Sequence, residues 1–432
     1  MEFIAQPGGS VCGTLRVPGD KSISHRCIMF GAIADGVTTV EGFLEGEDAL
    51  STIKAFRAMG VQIDGPDNGK VSIHGVGRDG LKAPVGELYV GNSGTSMRLL
   101  AGLLAGQAFD TVLTGDVSLS KRPMERVAVP LRAMGAKVET QEGGRPPMII
   151  RGGQALHGID YVLPMASAQV KSCVLLAGLY AEGQTRTTEP APTRDHSERM
   201  LRGFGYPVKV DGATASLEGG HRMTAVHIDV PADISSAAFF MVAASITPGA
   251  DLTLEHVGIN PTRIGVVNIL RAMGGSIELL NERDVGGEPV ADIRIRYAPL
   301  KGIDIPEDQV PLAIDEFPVL FVAAACAEGR TVLRGAEELR VKESDRIQVM
   351  AGGLASMGIQ AEATEDGIII DGGQITGGRV NSHHDHRIAM SFAVAALRAT
   401  ESIHIEDCDN VATSFPNFVE LAQRAGMRLE VR

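Results

Sequence analysis

A sixfold internal repeat constrains the fold of this chain more than any other feature of its sequence. A phrase of the form Leu-Arg-Ala-Met-Gly, or a close variant, recurs at residues 56–60, 131–135, 201–205, 270–274, 354–358 and, in degenerate form, 421–426. After each glycine comes a short alternating segment, 61–64 in the first copy, of the kind that a half-buried strand shows. Each copy therefore predicts a helix, a glycine C-cap and a strand.

A second recurring pattern precedes these phrases and consists of a polar or small-residue head followed by an almost wholly apolar run. The heads occupy residues 20–22, 92–95, 166–169, 233–236, 315–316 and 384–387. The apolar runs occupy residues 27–33, 99–104, 174–179, 239–244, 319–325 and 388–397. Because these runs have no polar face, they predict helices that are buried on all sides.

Each repeat of about 70 residues thus predicts strand, buried helix, strand, amphipathic helix and strand, and it is longer than a solenoid repeat. The length of 432 residues favours two domains, so we expect three repeats in each. Val-Pro steps at 17–18 and 230–231 head the first and fourth copies, and a residue before proline favours extended chain. We therefore predict one domain at 20–232 and a second at 1–19 with 233–432.

Composition narrows the functional class. A formal net charge of −13 argues against general nucleic-acid binding, so any anion site must concentrate its cations locally. The five scattered cysteines contain no C-x-x-C pair and predict neither a disulfide framework nor a zinc site. The N-terminus lacks a signal-peptide pattern, and the richest apolar stretch, 317–327, is too short to cross a membrane. We predict a cytoplasmic protein.

Cations stand at the beginnings of several predicted helices, where the helix dipole disfavours them. Lys21, Arg122, Arg194, Lys342 and Arg387 lie at such positions. Helix N-termini bind anions through their free N–H groups, so a shared anion would compensate these charges. Two alternatives stay open, namely ordinary capping by the polar heads and local ion pairs with nearby carboxylates, which contribute little.

The segment 342–346 and Asp315 are the candidates for acid and base chemistry. Lys342 and Arg346 are four residues apart, and Glu343 and Arg346 are three apart, so a helix would bring all three onto one turn. Asp315 heads the fifth apolar run, where helix capping explains it equally well.

The histidine-rich segment 383–386 invites a metal site, but its spacing fits no zinc pattern and adjacent histidines rarely converge on one ion. We predict no metal site. Asp385 and His386 are expected to cap the helix and to orient Arg387.

Six motifs follow one another in fixed order along the chain. They are Pro-Gly-Asp-Lys-Ser-Ile-Ser-His-Arg at 18–26, Gly-Asn-Ser-Gly-Thr-Ser-Met-Arg at 91–98, Lys-Arg-Pro-Met at 121–124, Ser-Ala-Gln-Val-Lys-Ser at 167–172, Arg-Val-Lys-Glu-Ser-Asp-Arg at 340–346 and Asp-His-Arg at 385–387. Over essentially its whole length the chain resembles the family of 5-enolpyruvylshikimate 3-phosphate synthases, also called 3-phosphoshikimate 1-carboxyvinyltransferases. The resemblance implies an α/β (α+β) fold of two domains, each an inside-out α/β barrel of three βαβαββ repeats with buried parallel helices. It also implies an active-site cleft between the domains, which we expect to close on the first substrate.

The resemblance implies ligands by position. For shikimate 3-phosphate it points to Lys21, Ser22, Arg26, Ser167, Ala168, Gln169, Asp315 and Lys342. For phosphoenolpyruvate it points to Lys21, Gly94, Arg122, Gln169, Arg346 and Arg387. A Cβ at Gly94 would crowd the phosphoenolpyruvate pocket.

The family reaction belongs to the shikimate pathway of aromatic amino acid biosynthesis. The 5-hydroxyl of shikimate 3-phosphate attacks C2 of phosphoenolpyruvate as C3 is protonated, and the adduct then loses phosphate; this needs an acid, a base and stabilised negative oxygens. By resemblance we assign Glu343 to proton exchange at C3, Asp315 to the hydroxyl proton and Lys21 to electrostatic stabilisation and proton transfer. Which of Lys21 and Asp315 takes the hydroxyl proton stays open.

Three positions depart from the best-known members and make the chain similar to the subgroup associated with glyphosate tolerance. Ala168 replaces a serine, so only its backbone can bind, and Thr413 replaces a lysine that would touch phosphoenolpyruvate. Arg194 stands where those members have a serine-containing motif, and we expect it to supply charge for the phosphate of shikimate 3-phosphate. Because Gly94 keeps the small residue compatible with inhibitor binding, the sequence does not decide tolerance.

Three alternatives compete with this assignment. UDP-N-acetylglucosamine enolpyruvyl transferase shares the fold but uses a reactive cysteine in a mobile loop, whereas Cys27, Cys173 and Cys326 lie in apolar helical runs. The others are a non-catalytic phosphate-binding repeat protein and a metal hydrolase at 383–386. We expect two small-molecule substrates, no cofactor, no nucleic-acid or membrane partner, and a monomer.

Overall fold

The computed structural model describes residues 1–432. Its α-helices are α1 (Lys21–Ile33), α2 (Glu47–Ala58), α3 (Gly94–Ala105), α4 (Glu125–Ala133), α5 (Ala168–Gly178), α6 (His196–Gly203), α7 (Ile234–Ile246), α8 (Gly265–Ala272), α9 (Phe317–Ala325), α10 (Arg346–Ser356), α11 (His386–Ala395) and α12 (Phe418–Ala425). None of them combines the length and apolarity that crossing a membrane requires.

The strands are short. Those before α7 are β1 (Phe3–Gly9), β2 (Cys12–Leu15), β3 (Asp35–Glu41), β4 (Gln62–Asp67), β5 (Lys70–Val76), β6 (Leu88–Tyr89), β7 (Thr111–Thr114), β8 (Lys137–Gln141), β9 (Arg145–Arg151), β10 (Asp160–Val162), β11 (Gln184–Thr188), β12 (Val208–Asp211), β13 (Thr214–Glu218) and β14 (His227–Asp229). Those after it are β15 (Asp251–Gly258), β16 (Ser276–Val285), β17 (Glu288–Arg296), β18 (Arg330–Leu333), β19 (Gln360–Ala363), β20 (Ile368–Asp371), β21 (Gly378–Asn381), β22 (Ile403–Glu406) and β23 (Met427–Val431).

The glycine repeat of the sequence is a repeat of helix C-caps. The glycines at 60, 135, 205, 274, 358 and 426 all have φ between +80° and +99° and follow the ends of α2, α4, α6, α8, α10 and α12. Only glycine adopts this left-handed backbone without steric cost, which explains why the residue recurs at these points. The predicted order of helix, glycine and strand is confirmed.

The six apolar runs form the six buried helices α1, α3, α5, α7, α9 and α11, as predicted. Every residue of α7, α9 and α11 is buried. In α1, α3 and α5 the only residues that are not buried lie in the first turn. In α1, α3 and α5 the heads are therefore the places where the buried helix approaches solvent.

The chain divides into two compact units, each with its own hydrophobic core. Unit A is Gly19–Val230, and unit B is Met1–Pro18 with Pro231–Arg432. That these units are folding domains with boundaries at 19/20 and 232/233 stays a prediction.

In unit A three four-stranded sheets surround the buried helices. Their strand orders are β14-β3-β5-β4, β6-β7-β9-β8 and β10-β11-β13-β12, and in each sheet the first pair is parallel and the others antiparallel. Inside them α3 packs against α1 and α5. Apolar helices at the centre and sheets outside are the predicted inside-out α/β arrangement.

Unit B repeats this plan with one exception. Its sheets are β16-β17-β15-β2, β21-β22-β1-β23 and the three-stranded β18-β20-β19, around α7, α9 and α11. We expected an opening strand in every repeat, but the fifth repeat has only two isolated bridges, Lys301 to Glu328 and Asp304 to Val332. The last of these backbone bonds runs from the Ile305 N–H to the Val332 carbonyl at 2.9 Å, and a short 3₁₀ turn begins at Glu307, so the pairing extends no further.

Two opening strands are exchanged along the sequence. Strand β2 runs into α1 of unit A, yet it pairs in parallel with β15 of unit B. Strand β14 runs into α7 of unit B, yet it pairs in parallel with β3 of unit A. Unit B also takes β1 as an inner strand of the sheet β21-β22-β1-β23.

Candidate active site

The predicted residues of unit A come together where α1, α3 and α5 begin. Together with Arg98 we call this group the Lys21 cluster, and the predicted members are Lys21, Ser22, Arg26, Gly94, Arg122, Ser167, Ala168, Gln169 and Arg194. Hydrogen bonds between side chains join the three helix beginnings to one another.

Arg26 ties the beginning of α1 to α5 and α6. Its guanidinium is buried and donates from Nε to Ser197 Oγ at 2.8 Å and from Nη2 to Ser172 Oγ at 2.9 Å. It also donates from Nη1 to the Ser22 carbonyl at 3.0 Å. Because these bonds are buried and charge-assisted, they fix the first turn of α1 against α5.

Gln169 joins α5 to α3. Its Oε1 accepts from Arg98 Nη1 at 2.5 Å, and its Nε2 donates to Thr95 Oγ1 at 2.9 Å. Ser167 caps α5 by accepting from the Val170 N–H at 3.4 Å, and Ala168 is the first residue of the helix. Both Ser167 and Ala168 therefore lie beside the amide that links the two helices.

Gly94 is the first residue of α3 and lies beside two guanidinium groups. A Cβ built on it would lie 3.2 Å from Arg98 Nη1 and 3.3 Å from Arg122 Nη1. Arg122 donates from Nη2 to Asn92 Oδ1 at 2.6 Å. A larger residue at 94 would therefore crowd both guanidinium groups.

Lys21 and Arg194 complete the cluster. The Lys21 ammonium donates to Asp48 Oδ2 at 3.1 Å. Arg194 Nη1 lies 3.5 Å from Ser22 Oγ, so its side chain reaches the beginning of α1 although it comes from the segment before α6.

His25 lies behind these cations and is neutral. Complete burial lowers its pKa to about 3, and the charges of Lys21 and Arg26 act in the same direction. Its Nδ1 lies 2.8 Å from Thr52 Oγ1, which in turn lies 2.7 Å from Ser96 Oγ of α3. A neutral ring thus holds α1 against α3 without adding charge to the site.

The electrostatic character of the Lys21 cluster is that of a group suited to an anion. It combines the positive ends of three helix dipoles with five cationic side chains, against the carboxylates of Asp20, which caps α1, and Asp48. Such an arrangement suits a phosphate or carboxylate ligand with several oxygens.

The predicted residues of unit B form a second group. We call it the Arg346 cluster, and its members are Asp315, Lys342, Glu343, Arg346, Asp385 and Arg387. Arg346 stands at its centre, with a side chain that is only 1% exposed.

Three carboxylates surround the Arg346 guanidinium. Its Nη2 donates to Glu343 Oε2 at 2.6 Å, its Nε to Asp385 Oδ2 at 2.8 Å and its Nη1 to Asp315 Oδ1 at 3.4 Å. Burial acts to lower the pKa of Arg346, but Asp385, Glu343 and Asp315 outweigh it and hold that pKa above its ordinary value. One buried cation therefore orients both predicted proton-transfer carboxylates.

The expectation that Lys342, Glu343 and Arg346 share one helical turn is wrong. Asp345 caps α10 by accepting from the Gln348 N–H at 3.0 Å, so the helix begins at Arg346. The contact between Glu343 and Arg346 exists nevertheless, and Lys342 Nζ lies 3.6 Å from Asp315 Oδ1. Asp315, rather than a shared helix face, brings these side chains together.

Asp315 does not cap α9. The cap residue is Glu316, which makes no side-chain cap bond. The Asp315 carboxylate faces Arg346 and Lys342, and its carbonyl accepts from Arg387 Nη1 at 2.9 Å. The capping alternative for Asp315 is therefore excluded.

Asp385 caps α11 as predicted, since it accepts from the Arg387 N–H at 3.0 Å. His386 Nε2 lies 3.2 Å from Ser414 Oγ rather than capping the helix, and Thr413 Oγ1 donates to the Asn410 carbonyl at 2.6 Å. No group of three or more His, Cys, Asp or Glu side chains in the chain is arranged to hold a metal ion.

Sequence reasoning missed three members or partners of the clusters. Arg98 is the last residue of the motif at 91–98 and directly precedes an apolar run. A cation at that position could have indicated a role in the site. Asp48 opens α2 and looks like an ordinary N-terminal acid. Asp385 was predicted only as a cap, and its ion pair with Arg346 had no signal in the spacing. Arg340, in the motif at 340–346, pairs locally with Asp345 at 2.6 Å.

The cysteines do not offer a nucleophile in the buried helices. Burial raises the pKa of Cys326 to about 12 and that of Cys27 and Cys173 further above the ordinary value. A thiol that stays protonated is a poor nucleophile. These three thiols are therefore unsuited to the cysteine-dependent alternative.

Comparison with known proteins decides the family. The model of the family described as EPSP synthase (3-phosphoshikimate 1-carboxyvinyltransferase) matches residues 5–421. The chain belongs to the EPSP synthase family. This membership confirms the resemblance seen in the six motifs.

Relatives and structures in this family match over almost the full length. The 3-phosphoshikimate 1-carboxyvinyltransferase of Alkalilimnicola ehrlichii is 68% identical over 430 residues, covering 99% of this chain and 96% of the relative. That of Methylococcus capsulatus is 66% identical over 429 residues, covering 99% and 98%. The solved structure of EPSP synthase from Acinetobacter baumannii is 64% identical, has a TM-score of 0.90 and covers 100% of this chain and 99% of that chain.

Proposed function

We propose that this chain transfers the enolpyruvyl group of phosphoenolpyruvate to the 5-hydroxyl of shikimate 3-phosphate and releases phosphate, a step of aromatic amino acid biosynthesis. Family membership supports the reaction. The observation that carries the mechanism is the position of Glu343 and Asp315 on one buried guanidinium, that of Arg346. Two carboxylates held in this way can serve as an acid and a base in successive proton transfers.

The substrates are assigned by charge. We propose that the Lys21 cluster receives shikimate 3-phosphate through Lys21, Ser22, Arg26, Ser167, the backbone of Ala168, Gln169 and Arg194, with Asp315 and Lys342 binding its hydroxyl groups. Phosphoenolpyruvate is assigned to Lys21, Gly94, Arg122, Gln169, Arg346 and Arg387.

Within the reaction Glu343 exchanges the proton at C3, and Asp315 takes the proton of the attacking hydroxyl. Lys21 donates to Asp48, which supports an electrostatic role for its ammonium toward the negative oxygens of the adduct. The guanidinium groups of Arg122 and Arg387 are suited to the phosphate that leaves.

We also propose, on the sequence alone, that the chain is a monomer that works in the cytoplasm without a cofactor. The alternative acceptor, UDP-N-acetylglucosamine, is not favoured, because the family match names the shikimate enzyme and the buried thiols are not activated.

Phosphate release is the direct test of the function. We expect phosphate to appear from phosphoenolpyruvate only when shikimate 3-phosphate is present, and a metal chelator to leave the rate unchanged because the chain offers no metal cluster. A colorimetric phosphate assay with each substrate omitted in turn measures this. Phosphate release with UDP-N-acetylglucosamine in place of shikimate 3-phosphate would favour the other transferase, and inhibition by the chelator would favour a metal hydrolase.

Arg194 is expected to matter for one substrate only. Because a charge-assisted bond to phosphate contributes about 1.5–3 kcal/mol, Arg194→Ala should raise the KM for shikimate 3-phosphate about 10-fold to 150-fold and leave the KM for phosphoenolpyruvate within about twofold. Arg202→Ala, an exposed arginine on α6, is the matched control. An Arg194→Ala enzyme with unchanged shikimate 3-phosphate affinity would refute the assignment.

A further inference from the structure

A buried ion triad lies directly behind the Lys21 cluster. Lys171 is on α5, one turn after its cap Ser167, and its side chain is only 3% exposed. Its ammonium lies 2.7 Å from Glu198 Oε1 on α6 and 3.1 Å from Glu189 Oε2, the residue that follows β11. Lys171, Glu189 and Glu198 are the triad.

The triad is connected to Arg194 through Thr193. The Glu189 carboxylate accepts from the Thr193 N–H at 3.1 Å and also from the Thr193 hydroxyl. These two bonds join the ends of the segment 189–193 in a loop. The ion pair with Lys171 holds the Glu189 carboxylate, and with it this loop, against α5. Arg194 directly follows Thr193, so the position of its backbone depends on the position of the segment 189–193.

The charges of the triad restrict how Lys171, Glu189 and Glu198 can be arranged. Burial acts to lower the pKa of Lys171, but Glu198 and Glu189 more than reverse this, so the pKa lies above its ordinary value and the amine is an ammonium. A buried cation with two carboxylate partners costs desolvation energy and is weak evidence for stability, although it can fix one arrangement of the chain. Here the arrangement it fixes is that of α5, α6 and the segment that carries Arg194.

We propose that Lys171, Glu189 and Glu198 are positioning residues that set the affinity for the phosphate of shikimate 3-phosphate by placing Arg194. None of the three touches the substrate in this scheme, and they act through Thr193 and Arg194. The inference rests on the proposed function, because it takes Arg194 as a ligand of that phosphate.

The sharpest test is Glu189→Ala. This change removes the anchor of the Arg194 segment but leaves Lys171 paired with Glu198 at 2.7 Å, so a buried one-to-one ion pair remains and the fold should be retained. We expect the KM for shikimate 3-phosphate to rise about tenfold, corresponding to about 1.4 kcal/mol. The KM for phosphoenolpyruvate and kcat should stay within about twofold. Steady-state phosphate release and a calorimetric titration with shikimate 3-phosphate measure these values.

A second pair of variants separates positioning from general loss of stability. Thr193→Val removes the hydroxyl that bonds Glu189, whereas Thr193→Ser keeps it. We expect Thr193→Val to raise the KM for shikimate 3-phosphate about threefold to tenfold and Thr193→Ser to restore it to within about twofold. The control is Glu218→Ala. Glu218 is an exposed residue of β13, in the sheet that also contains β11, and its replacement should change neither KM.

The outcomes distinguish this inference from the proposed function. If Arg194→Ala weakens shikimate 3-phosphate binding and Glu189→Ala does not, the triad has no positioning role while the proposed function stands. A lower melting temperature for Glu189→Ala with an unchanged KM also overturns the inference, since the triad would then be only structural. If the unaltered enzyme shows no phosphate release that depends on shikimate 3-phosphate, the proposed function itself fails.

Discussion

Glu343→Gln is expected to lower kcat by about 10²-fold to 10⁴-fold, the range that a positioned general acid or base contributes. The amide has the same shape and can still accept from Arg346, which holds the carboxylate at 2.6 Å, so both KM values should change by less than about threefold. The second readout is the exchange of deuterium from heavy water into C3 of phosphoenolpyruvate, measured by mass spectrometry. We expect that exchange to be lost with the turnover.

The control for this prediction is Glu338→Gln. Glu338 lies 3.7 Å from Lys342, so the change alters charge close to the same cluster without touching Arg346. Its kcat should remain within about threefold of the unaltered enzyme, because the Glu338–Lys342 pair is half-buried and contributes little. If Glu343→Gln also keeps its kcat within that range, another group handles the C3 proton and the assignment is wrong.

Arg346→Met is expected to destabilise unit B strongly. It leaves the carboxylates of Glu343, Asp315 and Asp385 without the buried cation that joins them, and breaking a buried pair costs about 3–5 kcal/mol. For a unit of this size that corresponds to a fall of roughly 6–20 °C in melting temperature. Scanning calorimetry measures it, and activity should be lost as well because the two proton-transfer carboxylates lose their common anchor.

Arg330→Met is the matched control for the stability measurement. Arg330 makes a two-bond ion pair with Asp371 in the same unit, but its side chain is 63% exposed. Exposed pairs contribute about 0–1 kcal/mol, so its melting temperature should fall by less than about 4 °C. An equal fall in melting temperature for the two substitutions would show that burial does not make the ion pairs of Arg346 more important for stability than an exposed pair.

The fold was predictable because two local rules repeat. A glycine with positive φ ends each amphipathic helix, and an apolar run without a polar face marks each buried helix. Both depend only on neighbouring residues, so they can be seen in one sequence. Pairing of β14 with β3 and of β2 with β15 depends on residues far apart, and periodicity carries no information about it.

Membership of the two charged clusters was predictable where a cation lies at the beginning of a helix, a position that the helix dipole disfavours. Lys21 and Arg387 are examples. Membership was not predictable where one side chain serves two purposes. Asp385 caps α11 and also binds Arg346, and only the first purpose follows from its place before a helix. The sequence left two roles open for Asp315, namely helix capping and acid–base chemistry. The structure shows its carboxylate facing Arg346 of α10, a contact between distant residues that the sequence does not reveal.

The pairing of β1 with β22 and β23 sets an order of events on the ribosome. Unit A is complete in sequence once Asp229 has emerged, whereas Phe3 of β1 has to wait for Ile405 and Val431. At ~5–20 residues per second that wait is roughly 20–80 s. During synthesis β1 therefore stays unpaired until β22 and β23 have been made, a state in which chaperones would protect its apolar residues Phe3, Ile4 and Ala5.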